Sequence, residues 1–164
     1  MSCDVCKQDH QLPIDLALDF RLNEFLATCF REHDTLTVVW ALSALQREAG
    51  SSFIFAPQTT LYRDYPENQE MKSDRELDLV CIIDGKFVIG EAKINVDQIG
   101  RGDIEDLAQT AIELKADVAI LAALSGDLAK MERKVNDLRK LIVGKDIVAR
   151  GLISDWNDEP SSYL

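Results

Sequence analysis

The sequence predicts one domain of mixed α/β class, and three observations predict it. The chain has 164 residues, of which 46% are apolar, enough for one full hydrophobic core. Asp84-Gly85 separates two strand-like runs, the strongest hairpin signal in the chain. Val118 to Leu124 is apolar throughout and lies between two segments of helical periodicity, as in a strand covered on both faces.

The elements follow in order. Residues 1–12 are polar and carry a Cys-x-x-Cys pair. After Pro13, Leu16, Phe20, Phe25, Leu26 and Phe30 recur at roughly helical spacing and predict a first helix. His33-Asp34-Thr35 interrupts it. Leu36, Val39, Trp40, Leu42 and Leu45, closed by Gly50, predict a second helix. Ser52 to Phe55 begin an extended segment running towards Tyr62, with Pro57 marking a bend or an edge position. Residues 63–75 are mostly polar or charged and predict a mobile loop. The hairpin strands are Glu76 to Ile83 and Lys86 to Lys93. After Gly100 and Gly102, Asp103 is suited to N-cap a helix whose apolar stripe is Ile104, Leu107, Ala108, Ala111 and Ile112. A strand at Val118 to Leu124, a helix from about Asp127 to Val143 and a last strand near Ile147 to Ile153 complete the order α, α, β, β, β, α, β, α, β. The expected organisation is an N-terminal helical segment over 1–34, one domain over 35–156 and a polar tail over 157–164.

A formal net charge of −11 argues against a general basic surface for gripping nucleic acid, because neutralising phosphates requires Lys and Arg. Any such contact must be local, metal-assisted, or supplied by further domains or a partner protein. No apolar run approaches the ~20 residues of a membrane span, and the first residues lack the basic and apolar regions of a secretory signal. The expectation is therefore a cytoplasmic protein with no membrane partner, its four cysteines thiols or metal ligands rather than disulfides.

The hairpin carries the chemistry. With Asp84-Gly85 as a two-residue turn, the register places Asp78 opposite Glu91 and Glu76 opposite Lys93, all four on one face of the sheet. Leu77, Leu79, Cys81, Ile83, Val88, Gly90 and Ala92 make the other face wholly apolar. Val80, Ile82, Phe87 and Ile89 occupy the charged face nearer the turn, so the charges gather at one end of a buried hairpin. Two carboxylates directly across a strand pair stand ~5 Å apart and repel by an energy on the order of 3 kcal/mol at an effective dielectric of about 20. A divalent hard cation held by Asp78, Glu91 and the Ala92 carbonyl would bridge them, with Lys93 directed at its bound water or at a phosphate oxygen. The alternative is an ordinary half-exposed hairpin in which Lys93 neutralises Glu76 and Asp78.

At these residues the sequence resembles the PD-(D/E)XK nuclease superfamily, whose fold is called restriction-endonuclease-like. The signature, an acid on one strand and Glu-x-Lys on the next, is matched by Asp78, Glu91 and Lys93 in Glu-Leu-Asp-Leu-Val-Cys-Ile-Ile-Asp-Gly-Lys-Phe-Val-Ile-Gly-Glu-Ala-Lys. The α-β-β-β-α-β order from about residue 35 to 153 is similar to the family core, preceded here by a helical extension. The resemblance implies Mg²⁺- or Mn²⁺-dependent hydrolysis of nucleic acid, DNA ahead of RNA. Asp78 and Glu91 would hold the metal, and Lys93 would orient the attacking water and stabilise developing charge. Many members also have a glutamate in the helix before the first core strand. Val38 to Ala44 contains Trp40 and no acid here, with Asp34 and Glu48 at the two ends of that helix. Some relatives place a glutamine in the helix after Glu-x-Lys, where Gln109 stands. Glu76 is a further supporting acid, and Arg101, between two glycines, could meet a phosphate near a helix N-terminus.

Cys3 and Cys6 have zinc-knuckle spacing, and Cys29 and His33 lie four apart, so together they could form a structural Cys₃His zinc site, with His10 as a rival ligand. Cys81 reads as a small core residue. Three functions are open on the sequence: a metal-dependent nuclease, working as a monomer or a homodimer; a nuclease-fold module that binds a protein or a nucleic-acid end without cutting; and a zinc-stapled interaction protein.

Overall fold

The computed structural model describes residues 35–56, 58–62 and 75–154. The expected first helix, the candidate zinc ligands Cys3, Cys6, His10, Cys29 and His33, Asp34, Pro57, the segment 63–74 and the tail lie outside the described residues.

Helix α1 (Thr35–Glu48) leads into strand β1 (Phe53–Ala56) and the short strand β2 (Thr59–Leu61). Strand β3 (Arg75–Leu77) is followed after one residue by the hairpin of β4 (Leu79–Ile83) and β5 (Lys86–Asn95). A 3₁₀ turn at Val96–Gln98, helix α2 (Arg101–Leu114), β6 (Val118–Ser125), α3 (Leu128–Leu141) and β7 (Val148–Ile153) complete the described chain. Five strands form a mixed sheet in the order β1-β4-β5-β6-β7, and β2-β3 form a separate two-stranded ribbon. β1, β4 and β5 are antiparallel neighbours, whereas β5, β6 and β7 run parallel, joined by the crossover helices α2 and α3. None of the described helices is long and apolar enough to cross a membrane.

The local chemistry explains these elements. Asp84 and Gly85 both have positive φ, 48° and 82°, as a type I′ turn requires. That turn fixes the pairing Leu79↔Gly90 through Ile83↔Lys86, the register expected from the sequence. The Asp84 carboxylate also accepts hydrogen bonds from the Gly50, Ser51 and Ser52 N–H groups at 2.8, 2.7 and 2.8 Å, tying the hairpin tip to the end of α1. These donors hold the carboxyl well below the usual carboxylate range. β6 is buried along nearly its whole length because helices cover both of its faces.

The sheet separates two cores. On one face α1 packs Ala41 and Leu45 against Leu79, Cys81, Val88, Ala92, Ile120 and Ala122. On the other, α2 and α3 pack Leu107, Ala111, Met131, Val135 and Leu138 against Ile89, Leu121 and Ala123. Cys81 is buried as expected, which pushes its thiol up to about 11.

Three expectations are corrected. The strand predicted over Glu76 to Ile83 breaks at Asp78, and its first part pairs with β2, so Glu76 stands opposite Thr60 rather than Lys93. Leu77 accordingly packs in the α2/α3 core instead of beside Leu79. Ile82 is exposed together with its partner Ile54, because α2 and α3 lie over β5 to β7 and leave that corner of the sheet bare. Finally, Asp103 is not the N-cap of α2. Gly100 takes that position, and Asp103, three residues on, accepts its N–H at 2.6 Å.

Candidate active site

Alternation along β5 turns Glu91 and Lys93 towards α2, while Ala92 faces α1. Here the hairpin opens, because β4 begins only at Leu79. At the bend, the Asp78 carboxylate accepts the Ala92 N–H at 2.9 Å, replacing the main-chain partner that a continuing strand would provide. Within a strand, the N–H and carbonyl of one residue share an edge, so the Ala92 carbonyl lies on the same side as Asp78.

Lys93 Nζ stands 2.7 Å from Glu91 Oε1, and the two side chains are 25% and 15% exposed. Burial is the main reason the Glu91 carboxyl is pushed up to about 7. The neighbouring charges of Asp78 and Asp103 add to the rise, against the hydrogen bond and charge of Lys93. Burial disfavours the Lys93 ammonium, yet Glu91, Asp78 and Asp103 outweigh it and raise its pKa. The site therefore gathers three carboxylates around one ammonium in partly buried surroundings.

Glu91 and Asp103, without Asp78 or Lys93, line a cleft of about 160 Å³ between β5, the ribbon and α2, with Glu76, Asp106, Arg75 and Thr110 on its walls. Glu76 thus reaches the cleft from the ribbon rather than through the hairpin. Arg75 Nη1 donates to Thr110 Oγ1 at 2.7 Å and lies 3.7 Å from Glu113, which docks the ribbon on α2. Asp103, Asp106 and Arg75 were missed by sequence reasoning. Asp103 carried a signal as a helix-start acid ten residues after Lys93, but capping accounted for it. Arg75 needs a ribbon that no local pattern announces.

Two expected site residues lie elsewhere. Gln109 is exposed and its Nε2 donates to Glu113 Oε1 at 2.7 Å, because the cleft-facing side of α2 is the one bearing Asp103, Asp106 and Thr110. Arg101 is 91% exposed, forms an ion pair with Glu105 at 2.7 Å, and lines a groove between α2 and α3 instead of this cleft. On the opposite face, Glu48 is taken up by Arg150 at 2.9 Å.

Asp78, Glu91 and the Ala92 carbonyl are the donors that would suit a hard divalent cation, and the excess negative charge around Lys93 would favour one. Such ions are commonly bound by one or two carboxylates together with water. No cluster of three His, Cys, Asp or Glu side chains that could hold a metal ion is present among the described residues. Comparison of the chain with known protein families, with characterised proteins and with solved structures found no match.

Proposed function

We propose that this chain is a metal-dependent nuclease with a restriction-endonuclease-like core, hydrolysing phosphodiester bonds of nucleic acid, DNA ahead of RNA. The observation that carries the reading is the burial of Glu91 and Lys93 as a pair beside Asp78, at the point where the hairpin opens. A solvated structural ion pair would leave both side chains open to water, whereas Glu91 and Lys93 are 15% and 25% exposed.

Asp78, Glu91 and the Ala92 carbonyl would hold Mg²⁺ or Mn²⁺, which supplies Lewis acidity and an acidified water. Lys93 is held as an ammonium by the surrounding carboxylates, so it donates hydrogen bonds and positive charge to a phosphoryl oxygen and to the attacking water. The acidic surface leaves strong binding to another domain, a partner protein or a homodimer, in a cytoplasmic setting. Cleavage by Lys93→Met is expected to fall by at least about a hundredfold with Mn²⁺ affinity retained; undiminished cleavage would remove Lys93 from the reaction.

A second reading, a binding module that keeps the fold without the reaction, is favoured by one observation. No acid of α1 joins the site: Trp40 stands mid-helix, and Glu48 is engaged by Arg150. Metal binding without cleavage of any nucleic acid would support it.

A further inference from the structure

The cleft at Glu91 does not end at α2. It shares Arg75, Asp106 and Thr110 with a larger groove of about 390 Å³ between the β2-β3 ribbon and the far half of α2. The second groove differs in character. Leu61, Tyr62 and Leu114 give it apolar and aromatic walls beside the carboxylates of Asp106 and Glu113, and Tyr62 is 39% exposed. Arg75, only 21% exposed, is fixed at the junction by Thr110 and Glu113.

We propose that this groove holds an unpaired nucleobase of the substrate strand, with Tyr62 as its stacking platform and Arg75 as its polar contact, so that the domain acts on single-stranded or frayed nucleic acid. The inference rests on the nuclease reading and names its substrate class. A chain with a net charge of −11 gains little affinity from phosphates, so affinity must come from contacts that charge does not oppose, and base-aromatic stacking is such a contact. The volume lies in the range of small-ligand sites, and a base can enter a groove only after leaving its stack. From Asp103 to Thr110 the helix rises about 10 Å, the length of about three stacked nucleotides, so one strand can span both clefts.

The test is equilibrium binding of a fluorescein-labelled twelve-residue oligothymidine to the full chain at low salt, with and without Mg²⁺, against the same strand in a duplex. Tyr62→Ala is expected to weaken single-strand binding about tenfold or more, Tyr62→Phe to preserve it, and the duplex to bind more weakly than the single strand. Unchanged binding by Tyr62→Ala, or a duplex bound as tightly as the single strand, overturns the proposal. Stacking-dependent binding without cleavage in Mn²⁺ supports this groove while removing the nuclease reading, so the two failures are distinguishable.

Discussion

Replacing Glu91 with glutamine keeps the shape of the side chain and removes the charge that the fold holds at a disadvantage. In the folded protein the carboxyl titrates near 7, against 4.5 for an unperturbed glutamate. Between those values the native state retains a proton that the unfolded chain has released, so folding takes up a proton. Stability therefore falls as pH rises from 4.5 to about 7 and stays low above that. The full displacement corresponds to about 3 kcal/mol. That displacement already includes the opposing hydrogen bond and charge of Lys93, so the gain expected in the variant at pH 8 is of the same size, about 3 kcal/mol. Urea denaturation in EDTA at pH 4.5 and pH 8 measures it. Glu91→Gln is expected to be the more stable protein at pH 8, with the difference shrinking towards zero at pH 4.5. Equal or lower stability at pH 8, or a difference independent of pH, refutes the assignment of Glu91 as a buried, repelled acid.

Other perturbations address the frame around the site. Asp84→Ala removes the acceptor of three backbone N–H groups at the α1-β1 junction; its thermal midpoint should fall clearly, and the parent should lose this contribution as pH drops below the ordinary carboxylate range. Gly90→Ala would place a methyl 2.8 Å from the Ile120 carbonyl oxygen, a backbone atom that cannot swing aside, so calorimetry should show a loss of about 2 kcal/mol or more. Thr37 is fully buried and its hydroxyl has no hydrogen-bond partner among the described residues. Thr37→Val should stabilise the fold by about 1 kcal/mol in urea denaturation.

Local chemistry made much of the sheet legible in advance. Asp84-Gly85 specifies a two-residue turn, and the turn fixes which residues pair, so the positions of Glu91 and Lys93 followed from counting. The uniform apolarity of Val118 to Leu124 marked the central strand for the same reason: helices on both faces leave no solvent side to encode. The departure at Asp78 was not legible. It depends on β2 recruiting Arg75 to Leu77 across a long polar segment whose length fixes no register, and on an aspartate side chain substituting for main chain. The placement of Asp103 and Asp106 in the cleft, and of Gln109 outside it, depends on the rotation of α2 over β5. An amphipathic stripe gives that rotation only to within a residue or so, too coarse to choose between neighbours on its edge.

On the proposed reading, Asp78 and Glu91 hold a divalent cation where the hairpin opens. Titrating Mn²⁺ into the full chain by calorimetry, beside Asp78→Asn, with cleavage of single-stranded and duplex DNA assayed on the same samples, tests it most directly. Binding and cleavage are expected of the parent, and loss of both in the variant. Absence of Mn²⁺ binding by the parent, or equal binding by Asp78→Asn, would contradict it.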